Sequence, residues 1–179
     1  SSDIFLGWTR GRRGYQMAVD EGRSETDVVR AKMIEHDERI GVLLKKLKDL
    51  GVEDNTIVIY STDNGNELLL WPDGGYAPFR GEKGTTWEGG LRVPMLVKWP
   101  GKIKPGSESN GVQSHEDLFV TLAAAAGLPN VKQDLLTGYK MGNMTYKVHL
   151  DGYNNLDQWT GKTDKSARRG SRPGTRRRF

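Results

Sequence analysis

Asp63 and Asn64 are the residues of this chain whose types and setting could do chemistry, by holding a hard cation. Asp63-Asn64-Gly65 closes the β-branched run Thr56-Ile57-Val58-Ile59-Tyr60-Ser61. Asp and Asn both offer hard oxygen donors, of the kind that Ca2+ and Mg2+ take. In open α/β sheets, ligands bind beyond the carboxyl ends of strands, and the tripeptide falls at such a place. The same three residues also make an ordinary Asx turn at a strand end, and on the tripeptide alone both readings stand. Lys83 lies in the loop Pro78-Phe79-Arg80-Gly81-Glu82-Lys83, where by residue type alone it reads as a solvated loop lysine. Arg80 and Arg92 flank it; the expectation for both is structural ion pairing. Trp71 and Tyr76 suit either an aryl-binding pocket or core packing. Gly81-Glu82-Lys83-Gly84 is not a phosphate-binding P-loop.

The elements that must position these residues are partly readable. Residues 25–49 predict a helix. Ser24 is a suitable N-cap with Asp27 three residues on. Val29, Met33, His36, Ile40, Leu43, Leu47 and Leu50 draw one stripe at alternating spacings of four and three. Lysines crowd the last turn, and Gly51 is placed to stop the helix in a left-handed conformation. Asp54-Asn55 reads as a turn. The run after it lacks strict alternation, which predicts a strand buried on both faces, as in a parallel sheet. Helix, turn and buried strand together indicate an α/β layer architecture. Residues 71–92 are dense in Gly, Pro and aromatics and fit no regular element. Residues 93–99 predict a second strand with Pro94 at its start. A second helix is expected from Ser114 with Asp117 three residues on, burying Leu118, Phe119, Leu122 and Ala126 and ending at Gly127 and Pro129. Residues 146–150 alternate as a strand does.

Composition limits the function classes. The 179 residues suffice for one domain or part of a larger one. No apolar run approaches the roughly 18 residues of a membrane span, and residues 1–7 do not read as a signal peptide. The absence of Cys removes disulfides, Cys-ligated zinc and a thiol nucleophile. The net charge of +4 is local: residues 162–179 hold eight Lys or Arg and one Asp, against 19 basic and 22 acidic residues elsewhere. A solvated, disordered tail explains this, and no nucleic-acid partner is expected. His36 reads as a satisfied core histidine; His115 and His149 show no metal-ligand spacing. Asn143-Met144-Thr145 is a glycosylation sequon in pattern only.

Beyond these local readings, an ordered set of motifs resembles the sulfatase family. Residues 57–65 resemble its second metal-binding motif, and residues 33–51 the helix preceding that motif in bacterial arylsulfatases. Trp71-Pro72-Asp73-Gly74-Gly75, then residues 78–83, then Trp87-Glu88-Gly89-Gly90-Leu91-Arg92-Val93-Pro94 follow in family order. Ser114-His115-Glu116-Asp117-Leu118 and residues 147–153 continue it, so that the likeness covers roughly residues 31–167. The resemblance implies an alkaline-phosphatase-like α/β fold, a mixed sheet flanked by helices, incomplete in this chain. It implies hydrolysis of sulfate esters by a formylglycine, whose hydrated aldehyde attacks sulfur and displaces the alcohol. It implies a Ca2+ (or Mg2+) on the sulfate oxygens, with Asp63 and Asn64 as two of its ligands and Lys83 on the substrate sulfate.

The chain also departs from the family pattern. A Ca2+ ion takes 6–8 oxygens, and the resemblance assigns two here. The family's other ligands include an upstream Asp pair and the formylglycine. Residues 1–62 hold neither an Asp pair nor a Cys. Ser171-Arg172-Pro173-Gly174-Thr175-Arg176 is a decoy for the nucleophile signature, with its Arg one position late. Residues 1–23 and the run from Gly170 depart from the family, which suggests a truncated or frame-disrupted copy. The organisation expected is an irregular segment 1–23, a partial sulfatase domain 24–161 and a basic tail 162–179, without activity on its own. Family members are often periplasmic, secreted or lysosomal, and no address is readable here. The rival readings are a phosphodiester or phosphonate hydrolase of the same superfamily, and a non-catalytic module that docks by its basic tail.

Overall fold

The computed structural model describes residues 25–67 and 77–168, which belong to two compact units, residues 1–99 and 100–179. In the first unit, helix α1 spans Glu25–Asp49. Its surface carries the (i, i+3) pair Lys32–Glu35 and the (i, i+4) pairs Glu35–Arg39 and Lys45–Asp49. The helix stops as its sequence requires. Gly51 sits at φ +67°, the Gly51 N–H donates to the Lys48 carbonyl, and the Val52 N–H donates to that of Leu47. Ser24, its expected cap, lies outside the described residues. The apolar stripe is only partly covered: Ile40 and Leu47 are half-buried, but Met33 is 60% and Leu43 67% exposed. His36 corrects the expectation of a core residue. It is exposed, and its Nε2 is satisfied by the Tyr60 hydroxyl at 3.0 Å.

A 3-10 turn at Glu53–Asn55 leads into strand β1, Val58–Ser61. A short helix α2, Glu88–Leu91, precedes strand β2, Met95–Lys98. β1 is not the doubly buried parallel strand expected. It is half-buried along its length and pairs antiparallel with β2, Val58 opposite Lys98 and Ser61 opposite Met95. A continuous apolar run reports burial tendency but not partner direction, and here the chain returns along the same edge. Lys98 closes the strand pair at one end through an ion pair to Glu53. The Ser61 hydroxyl closes it at the other by donating to the Pro94 carbonyl at 2.9 Å.

The second unit is organised around helix α3, Glu116–Ala125. Its buried face is Asp117, Val120, Thr121 and Ala124, whereas Phe119 and Ala126 are exposed. Two of the four buried residues are polar, so a search for an apolar stripe selects the neighbouring face. The expected cap is also altered. The Asp117 carboxylate accepts from the Ser114 N–H at 3.0 Å, but the Ser114 hydroxyl turns to Glu116. Helix α4, Val131–Thr137, is followed by the hairpin of β3, Tyr139–Met141, and β4, Met144–Tyr146. The strand expected at 146–150 therefore ends at its first residue, because the Val148 N–H donates to the Leu135 carbonyl of α4 instead of extending the ladder. Helix α5, Leu156–Trp159, completes the unit.

Asp117 is the hub of this unit. Its carboxylate accepts from the Ser114 and Tyr153 N–H groups, from Asn155 Nδ2 at 3.4 Å, and from Arg168 at 2.7 and 2.9 Å. Burial pushes this carboxyl up. The Arg168 hydrogen bonds, the two backbone donors and the Arg168 charge outweigh it and hold the pKa below the usual aspartate value. Asn155 adds a second layer, with its Oδ1 accepting from Ala167 N–H at 2.8 Å and its own N–H donating to the Thr121 hydroxyl at 3.0 Å. Ser166, Ala167 and Arg168 fall inside the basic tail that composition draws from residue 162, yet they are bound to Asn155 and Asp117. The tail beyond Arg168, including the decoy at Ser171, lies outside the described residues.

Candidate functional site

The chain leaves β1 at Ser61 and turns immediately through Thr62-Asp63-Asn64-Gly65. The Thr62 hydroxyl donates to the Asn64 carbonyl at 3.2 Å, and Asn64 Nδ2 donates to the Gly65 carbonyl at 2.8 Å. The second bond fixes the Asn64 amide with its nitrogen engaged and Oδ1 available. Asp63 is exposed, and its carboxylate makes no hydrogen bond or ion pair among the described residues. Asn66 Oδ1 is buried without a hydrogen-bond partner. The turn therefore presents several oxygens not used in holding the fold.

Three stretches of backbone lie against one another beside this turn. The Gly65 N–H donates to the Gly90 carbonyl at 3.0 Å, and the Lys83 N–H to the Asn66 carbonyl at 2.8 Å. The Gly89 N–H donates to the Arg80 carbonyl at 2.7 Å. Glycine is needed where these backbones meet. A Cβ on Gly65 would stand 2.8 Å from the Gly89 carbonyl carbon and nearer still to its oxygen. A Cβ on Gly89 would stand 2.6 Å from the Phe79 and 2.8 Å from the Arg80 carbonyl oxygens. The motif Trp87-Glu88-Gly89-Gly90 thus packs the loop of Lys83 against the turn of Asp63 and Asn64 with no side chain between them.

Both arginines of this loop lie over aromatic rings, and among the described residues only Arg92 makes the expected ion pair. Arg80 lies over the Trp87 ring at 3.8 Å, and Arg92 lies over Phe79 at 4.3 Å while pairing with Glu88 at 2.6 Å. Lys83 Nζ is 3.5 Å from Glu67 Oε2, with both side chains about half exposed. Glu67 was not singled out by sequence reasoning. Its position two residues past Gly65 carries no signal until the Lys83 loop is folded back onto it. Trp71 and Tyr76 lie outside the described residues. Among the described residues, no cluster of three His, Asp, Glu or Cys is placed to hold a metal. His149 pairs with Asp151 at 3.5 Å on the surface.

The comparisons with known proteins agree with one another. The sulfatase family model matches residues 9–128. The chain belongs to the sulfatase family. It is 42% identical over 131 residues to human N-acetylgalactosamine-6-sulfatase, covering 72% of this chain and 22% of that protein. It is 45% identical over 105 residues to human arylsulfatase A, covering 57% of this chain and 20% of that protein. Among solved structures, the PsFucS1 sulfatase from Pseudoalteromonas sp. superposes with a TM-score of 0.61 at 35% identity, over 76% of this chain and 25% of that one. The fold is therefore the alkaline-phosphatase-like α/β fold of sulfatases, present in part. The chain spans about a fifth to a quarter of the length of these relatives.

Proposed function

We propose that Asp63 and Asn64 are two oxygen ligands of a divalent cation, Ca2+ or Mg2+, and that Lys83 contacts the sulfate of a sulfate ester hydrolysed by the whole protein. One observation carries this reading. The Asp63–Asn64 turn and the Lys83 loop are bonded backbone to backbone, Gly65 to Gly90 and Asn66 to Lys83, so the segments that carry the hard oxygens and the lysine lie beside one another.

The donor set fits a hard cation. Asp63 supplies a carboxylate that is unpaired among the described residues. Asn64 keeps Oδ1 open because its nitrogen is committed to Gly65. The cation, when bound, draws off charge from the sulfuryl oxygens. Lys83 adds a second positive contact at the same anion, and its pairing with Glu67 steadies the amine until the anion arrives. The remaining ligands and the formylglycine nucleophile are expected outside residues 1–179, so this chain alone is not expected to turn over substrate. The relatives' names differ in the alcohol that bears the sulfate. Similarity thus supports the sulfate end of the reaction and leaves the alcohol open.

Titrating Ca2+ into the 179-residue chain tests the ligand assignment. Amide resonances of residues 63–65 are expected to shift at millimolar Ca2+ in the parent chain and to stay fixed in Asp63→Ala. Equal shifts in both, or none in either, refute it. On 4-nitrophenyl sulfate, turnover above that of a D63A/K83A double variant would refute the expectation of an inactive chain.

A further inference from the structure

The loop that carries Lys83 is closed by one side chain. The Thr85 hydroxyl accepts from the Glu82 N–H at 3.1 Å and donates to the Glu82 carbonyl at 2.7 Å. The Thr85 N–H reaches the same carbonyl at 3.0 Å. Lys83 lies within this ring of bonds. The hydroxyl itself is walled by glycine: a Cβ on Gly81 would stand 2.6 Å from it, and a Cβ on Gly90 2.8 Å. Gly81 also holds φ +89°, which an L side chain rarely adopts. Two glycines thus make room for one hydroxyl, and that hydroxyl holds the turn on which Lys83 stands.

From this turn to the Asp63–Asn64 turn the connection is backbone throughout. Lys83 N–H is bonded to Asn66, Gly89 N–H to Arg80, and Gly65 N–H to Gly90. These three bonds run from backbone to backbone. Slackening of the 82–85 turn therefore passes directly to the height of Lys83 beside Asp63 and Asn64. Thr86, the next residue, is exposed and makes no such bonds among the described residues.

We propose that Thr85 is a positioning residue. It acts through Lys83, setting the lysine's backbone against the Asp63-Asn64-Gly65 turn so that the ammonium and the cation-binding oxygens meet one anion together. The proposal rests on the assignment of Asp63, Asn64 and Lys83 above and deepens it. Thr85→Val keeps the shape and removes both hydroxyl bonds. Thr85→Ser keeps the hydroxyl and removes only a methyl group.

The test uses the full 179-residue chain with T85V, T85S and T86V. Two readouts are taken by NMR: hydrogen exchange of the Lys83 amide, and the shift of Lys83 resonances on titration with inorganic sulfate in millimolar Ca2+. T85V is expected to speed Lys83 exchange about tenfold and weaken sulfate binding about tenfold, the net size of the two lost hydroxyl bonds. T85S is expected to restore both, and T86V to leave both unchanged. Unchanged Lys83 exchange in T85V overturns the proposal, as does exchange that rises equally across β1, which reports loss of the fold. If the parent chain and T85V bind sulfate equally, the sulfate assignment stands and the positioning role falls. If the parent chain does not bind sulfate but Lys83 exchange still follows the hydroxyl, the positioning role stands and the sulfate assignment falls.

Discussion

Replacing Arg168 with Ala removes both guanidinium bonds from the Asp117 carboxylate and leaves it buried, with its side chain 1% exposed. Breaking a buried ion pair by deleting one partner costs about 3–5 kcal/mol. The lower end applies here for two reasons. Arg168 is itself 23% exposed, and Asp117 keeps the Ser114 and Tyr153 N–H donors and Asn155 Nδ2. A loss of about 3 kcal/mol is the expectation, which lowers the urea midpoint of this unit by roughly 1–3 M. Hydrogen exchange of residues 150–168 during urea titration reads the unit selectively. The pH dependence gives an independent check. The folded pKa of Asp117 is depressed, so its contribution is full above the unfolded value of about 3.9 and is lost as pH falls through the folded value below it. In R168A the burial that pushes the carboxyl up loses its main opponent, so acid unfolding begins at a higher pH than in the parent chain. Arg168→Lys keeps the charge without the two-pronged geometry and is expected to fall between them. A variant R168A within about 0.5 kcal/mol of the parent, with an unmoved acid limb, would refute the clamp and demote it to a surface contact.

Three further substitutions probe the packing. Gly89→Ala drives a Cβ into the carbonyl oxygens of Phe79 and Arg80, which are backbone and cannot rotate away; a loss of about 3 kcal/mol is expected in a urea titration followed by exchange of β1 amides. Gly41→Ala lies within α1 with nothing within 4 Å of its new Cβ, so a gain of about 1 kcal/mol is expected from helix propensity and is read as a higher helical midpoint by circular dichroism. Thr121→Val preserves shape but leaves the buried Asn155 N–H without its acceptor, which is expected to cost about 2 kcal/mol and to speed exchange at that amide.

How much of this was legible in the sequence depends on how far each signal reaches along the chain. α1 is set by a stripe of seven residues at alternating spacings of four and three and by a stop glycine, all within 27 residues, and its limits are as expected. β1 and β2 are legible as strands, but the direction of their pairing depends on two segments more than 30 residues apart, and neither carries that information. The buried face of α3 is hidden for a different reason. Asp117 and Thr121 are buried because Tyr153, Asn155 and Arg168 arrive to satisfy them, and a pattern of apolar residues cannot anticipate partners 32–51 positions away. The same logic explains His36, whose stripe position suggests burial but whose ring finds Tyr60 at the surface.

The site shows the limit most sharply. Asp63 and Asn64 are a strand-end turn by themselves and Lys83 a loop lysine; only the ordered motifs around them indicate a shared role. What those motifs do physically is a property of the folded backbone. Gly65, Gly89 and Gly90 read in sequence as freedom, the residues that let a chain bend. In the structure they are the opposite, the places where a second backbone comes so near that only hydrogen fits. The turn that offers oxygens and the loop that offers a charge are held beside one another where backbone meets backbone. The glycines around Trp87 and Glu88 are therefore as much a part of the proposed anion site as the residues that would touch the anion.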